Sequence, residues 1–140
     1  YTLAVSEANL DAEGNIRAWI WNGDRRIAFS VKRFENYSFT DSAILPDGDV
    51  LLLARSYQYT APPSMALLRF DAEKIAQGTT VMPELLFAGR ADAYEIDNME
   101  GVAVCSMDRH TRISILSDDN LNPLQRTLLL QFDYDPKAAP

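Results

Sequence analysis

The chain has 140 residues with 20 acidic against 13 basic side chains, a net charge of −7. Its Lys and Arg residues are scattered rather than gathered into a stripe, which argues against a nucleic-acid surface. A single Cys rules out an internal disulfide framework, and no apolar run is long enough for a membrane-crossing helix, so no membrane insertion is expected.

Short strands are predicted at Tyr1–Val5, Ile16–Trp21, Ile27–Val31, Ser42–Leu45, Val50–Ala54, Met65–Phe70 and Val81–Phe87. Turn chemistry such as Asn22-Gly23-Asp24 and Pro46-Asp47-Gly48-Asp49 separates them. Trp19 and Trp21 alternate onto one face of their strand, where packing between sheets is the expected use. Tyr57 and Tyr59, with Pro62 and Pro63 after them, are candidates for a contact at a rim. Asp71–Ala76 is the exception to the strands, a single helical turn capped by Asp71 and ended by Gly78. Val102–Cys105 and Ile113–Leu116 then form a hairpin around the polar turn Met107–Arg112, with Cys105 read as a small core residue. His110 sits in that turn and is read as a solvated loop residue, not a catalytic base. The fold class this gives is all-β.

Acids and amides lie at the ends of the hairpin strands rather than within them. Glu100 precedes the first strand, and Asp118, Asp119 and Asn120 follow the second, so antiparallel pairing brings the four to one end. Clustered carboxylates persist only if a hard metal or an Arg offsets their repulsion, or if one stays protonated. An oxygen-only set favours Ca²⁺ over Zn²⁺. Gly101, without a Cβ, lets the backbone approach a neighbour or ligand. For Glu100 the alternatives are a channel or metal role and the capping of turn amides. For Asp118, Asp119, Asn98 and Asn120 they are a functional role and the ordinary satisfaction of backbone N–H groups by Asx side chains. Arg126 either clamps the Asp pair, the favoured reading, or binds a substrate phosphate.

Three blocks in order, Asn98-Met99-Glu100-Gly101, Ser117-Asp118-Asp119-Asn120 and Pro123-Leu124-Gln125-Arg126-Thr127 with an apolar last strand, resemble the family named for the esterase-like activity of phytase. The stretch Thr40–Leu53 is similar to that family's preceding blade. The resemblance implies a bacterial, exported β-propeller, periplasmic or secreted, of which residues 1–140 would be the C-terminal portion of one domain: two and a half to three blades with no internal boundary. A start other than Met suggests a processed or truncated chain. A propeller needs its ring closed, so the remaining blades or another copy of the chain are expected partners.

An internal repeat points the same way. Asp41 and Glu100 each open an apolar strand that turns back into another, and they lie 59 positions apart, 100 less 41. Innermost strands of successive blades line the axial channel, which would put Asp41 and Glu100 at its mouth.

The activity the resemblance implies is hydrolysis of a small-molecule ester or phosphoester. Ca²⁺ held by Glu100, Asp118, Asp119, Asn98 and Asp41 would neutralise developing charge, Glu100 and Asp119 would act in catalysis, and Arg126 and Asn120 would contact substrate. No Gly-x-Ser-x-Gly elbow is present, which argues against a serine triad. A non-catalytic Ca²⁺-binding propeller that holds a ligand or protein, and a lactonase-like propeller, are the alternatives.

Overall fold

The run Val50-Leu51-Leu52-Leu53-Ala54 offers no polar residue to water on either face, so a strand made from it must be covered on both. A computed structural model, which describes residues 1–58, 61–107 and 110–135, shows how. The strands are β1 Thr2–Leu10, β2 Ile16–Asn22, β3 Arg25–Val31, β4 Ser38–Ile44, β5 Val50–Gln58, β6 Ala61–Phe70, β7 Thr80–Val81, β8 Glu84–Arg90, β9 Met99–Ser106, β10 Thr111–Ser117 and β11 Leu129–Tyr134. They make three sheets in the orders β1-β2-β3-β7, β4-β5-β6-β8 and β9-β10-β11. Every pairing is antiparallel except β3 with β7.

The middle sheet is the central layer. Val50, Leu52 and Ala54, with Ala66, Leu68 and Phe70 beside them on β6, pack into one core with Ile16, Ala18, Phe29 and Val31 of the first sheet. Leu51 and Leu53, with Met65 and Leu67, turn the other way into a second core with Met99, Val102, Ile113 and Ile115 of the third. Strand alternation therefore splits one apolar run between two cores. The all-β expectation holds, and the layout is that of consecutive propeller blades; the described residues do not close a ring.

Two details differ from the sequence reading. Val81–Phe87 is not one strand: Pro83 lacks the N–H that a continuous ladder needs, so Thr80–Val81 edges the first sheet and Glu84–Arg90 the second. Cys105 is exposed, because Val102 and Val104 take the inward positions of β9 and leave the alternate ones outside. Trp19 and Trp21 share a face as expected, half-buried on the side opposite Ile16 and Ala18. Tyr57 is exposed, and Tyr59 lies outside the described residues. The short helix is a 3-10 turn, Ala72–Lys74, capped by Asp71, whose side chain accepts from the Glu73 amide.

The β1–β2 turn is held by Asp11. Its carboxylate accepts from the amides of Glu13 at 3.0 Å and Asn15 at 2.8 Å, and from Asn15 Nδ2 at 3.2 Å. A hydrogen bond from Ser30 is the largest influence and, with these, holds the Asp11 pKa down to about 2.

Two measurements test this account. Leu52→Ala empties a fully buried site and is expected to cost about 3 kcal/mol in denaturant unfolding, against under about 0.5 kcal/mol for an exposed control such as Lys74→Ala. A depressed pKa stabilises above the unfolded-state value, so the advantage of wild type over Asp11→Asn is expected in full above about pH 4 and to fade as the pH falls through about 2.

Candidate functional site

The first strand of each sheet runs beside the next, β1 along β4 and β4 along β9. Each of the three breaks register once. On β1 the break lies between Val5 and Leu10. On β4, Phe39 and Asp41 face consecutive residues of β5, so Thr40 is the extra residue. On β9, Met99 and Gly101 face consecutive residues of β10, and the extra residue is Glu100. A bulge re-aims the side chain it carries, and bulges concentrate near active sites. The repeat therefore aligns Thr40, not Asp41, with Glu100; sequence alone does not reveal which residue the ladder skips.

The two bulges touch. Thr40 Oγ1 donates to the Met99 carbonyl at 3.0 Å, and the Val102 amide donates to Asp41 Oδ2 at 2.8 Å. Asp41 Oδ1 accepts from the Ser42 amide at 2.8 Å. Asp41 thus lies beside the start of β9 and spends its carboxylate joining two sheets.

Glu100 meets a cation that sequence analysis did not single out. Arg55, just past the apolar run of β5, places Nε 3.0 Å from Glu100 Oε1, and its Nη2 lies 3.5 Å from Glu7 Oε1 on β1. All three sheets contribute to this group. The Glu100 contact is a charge pair without hydrogen-bond alignment, so the buried Nε–H has no aligned acceptor. A guanidinium with an unused donor beside two carboxylates can bind an oxyanion or polarise a carbonyl.

The other candidates form a loop that starts next to Glu100. The Asp118 amide donates to the Asn98 carbonyl at 2.9 Å. Asp118 accepts from the Asn120 amide, and Asp119 from the Leu121 amide and Thr127 Oγ1. Asn120 and Leu121 take φ of 50° and 55°, and Asn120 Nδ2 donates to Gln125. The loop is tied down by a buried residue, Asp97, whose Oδ1 accepts from the Asn98 amide at 2.9 Å and Oδ2 from the Arg126 amide at 3.0 Å. Buried Ser117 adds a donation to the Arg126 carbonyl at 2.6 Å and an acceptance from the Leu128 amide at 2.7 Å. Arg126 does not clamp Asp118 and Asp119: its side chain pairs with Glu95 at 2.6 Å and lies 3.7 Å from Asp97, and Glu95 raises its pKa. His110 is exposed, 3.5 Å from Asp133.

The structure brings Asn98, Asp118 and Asp119 to the Glu100 end of the third sheet. The Asp118 and Asp119 carboxylates face neighbouring amides, and among the described residues no three His, Cys, Asp or Glu side chains converge to hold a metal. By themselves these residues do not fit a Ca²⁺ cage of six to eight oxygens.

A family model described as phytase-like, esterase-like activity of phytase, matches residues 2–121. The chain belongs to the phytase-like family. Comparisons with curated proteins and with solved structures each returned no match. In this phytase-like chain Glu100 of the Asn98–Gly101 block is the bulge residue, and a Cβ at Gly101 would make only an ordinary contact, 3.8 Å from Leu116 Cβ, so packing there does not demand glycine. The residues missed in sequence are Arg55, Glu7 and Asp97. Arg55 carries a faint signal, the first charge after five buried positions.

Asp97→Ala strands the buried Asn98 amide, takes the acceptor from the Arg126 amide as well, and is expected to cost about 2 kcal/mol. Hydrogen exchange should then speed up at Arg126 and Asn98 while the β5–β6 amides keep their protection.

Proposed function

We propose that the protein is a hydrolase of small-molecule esters or phosphoesters, acting at the register breaks of its inner strands. The observation that carries this is Glu100: an acid at a bulge, beside an arginine with an unaligned donor. In the reaction, the substrate's phosphoryl or acyl oxygen takes an Nη N–H of Arg55, whose side chain is one-quarter exposed although its Nε is buried, and the guanidinium offsets the growing negative charge. Glu100, drawn off Arg55, accepts a proton from a water molecule as that water's oxygen bonds to phosphorus or carbon. The bond to the leaving oxygen breaks, and Glu100 returns the proton to the departing alcohol. The loop from Asp118 to Arg126 borders the reacting centre.

Several parts of this reading rest on the family. Export to the periplasm or medium is one. Calcium is another, and its use requires oxygen donors beyond those that converge here, so no step is assigned to it. Closure of the ring by further blades or a second copy is the third.

The test is turnover of p-nitrophenyl acetate, p-nitrophenyl phosphate and phytate by the full chain, with and without Ca²⁺. Wild-type hydrolysis that falls by about 10²-fold or more in Glu100→Gln, and also falls in Arg55→Gln, supports the proposal. Turnover indifferent to Glu100 overturns the assignment of the site. No turnover on any ester, with Ca²⁺ still raising Tm, makes the protein a binding module instead.

A further inference from the structure

Next to Arg55 on β5, but on the opposite face, a cleft of about 210 Å³ lies between the loop leading from β3 into β4 and the β5–β6 hairpin. Its volume is below the roughly 300–1,000 Å³ of drug-sized pockets, and it suits a single ring. Tyr37 supplies one wall. The ring is fixed against Phe34, with centroids 5.2 Å apart, and by a turn in which the Tyr37 amide donates to the Phe34 carbonyl at 3.0 Å. Around it stand groups that both donate and accept: the Ser56 hydroxyl and the amides of Asn36 and Gln58. Glu35 and Arg90 add one charge of each sign, and Arg90 is already bonded to Asp92 at 3.0 Å, which leaves no surplus positive charge for an anion.

Glu35 is the most telling member. Its φ is 46°, in the left-handed region that glycine enters without strain and a glutamate adopts at a cost. A carboxylate kept in that conformation, lining a cleft, fits the use of strained backbone to present a functional group.

We propose that this cleft binds a neutral polyhydroxylated ring, a saccharide unit. The ligand's C–H face would lie on Tyr37, and its hydroxyls would donate to Glu35 and exchange hydrogen bonds with Ser56, Asn36 and Gln58. This does not depend on Glu100 acting on an ester. The two sites project from opposite faces of β5, so either can fail without the other.

The experiment is calorimetric titration of the full chain with cellobiose, maltose and lactose, with glucose 1-phosphate as the charged control. A neutral disaccharide is expected to bind with Kd in the millimolar range, about tenfold or more weaker in Glu35→Gly and several-fold weaker in Gln58→Ala. Glu35→Gly removes the side chain and relieves the backbone, so its Tm should not fall, and weaker binding then cannot be laid to unfolding. Lys74→Ala, at the far end of β6, should change nothing. The proposal is overturned if no neutral saccharide gives saturable binding, if binding is unaltered in both cleft variants, or if the phosphorylated sugar is preferred.

Discussion

Everything in this molecule depends on β5 being buried on both faces. Five consecutive apolar residues cannot lie at the edge of a domain without exposing one face, so they require a sheet on either side, and the first and third sheets meet that requirement. Burying Leu51, Leu52 and Leu53 almost completely contributes roughly 2 kcal/mol each in transfer terms, before packing is counted. No surface contact described here approaches that sum.

The same alternation decides where the chemistry goes. Arg55 has the parity of Leu51 and Leu53, so it leaves the core toward β9 and meets Glu100. Ser56 has the parity of Leu52 and Ala54, so it emerges toward the first sheet and lines the cleft beside Tyr37. One strand thus positions two polar regions as rigid continuations of two cores. The Arg55–Glu100 pair itself contributes little to stability: side chains 25% and 35% exposed form an ion pair worth about 1 kcal/mol or less. A pair that the fold does not need is free to exchange partners, which is what a substrate oxygen arriving at Arg55 would require.

Much of the fold was legible because apolar runs and turn residues act locally. The strands Ile16–Trp21, Val50–Ala54, Met65–Phe70 and Ile113–Leu116 lie within β2, β5, β6 and β10. Observed strands run longer, since polar residues such as Arg55 and Ser56 continue a ladder once the neighbouring strand is present. Pro83 was a readable break within Val81–Phe87 that the apolar pattern outweighed. The site was only half legible. The Glu100 end of the hairpin follows from antiparallel pairing, but the bulges at Thr40 and Glu100, and the meeting of Glu7, Arg55 and Glu100 across three sheets, arise from distant segments. Asp118 and Asp119 show the converse, since Asx residues two positions before a free amide satisfy it locally, and here both do.

Charge narrows the substrate class of the proposed hydrolase further. The chain carries a net −7, and the Arg55 guanidinium beside Glu100 faces two carboxylates. A highly phosphorylated ligand approaching this group meets repulsion from the whole surface and one partly neutralised cation, a balance that bound cations alone would reverse. A neutral or singly charged ester meets little of that repulsion and still finds the Arg55 donor. The field of this chain therefore favours simple esters and phosphomonoesters over polyphosphates, and makes any activity on the latter the one most sensitive to added divalent cations.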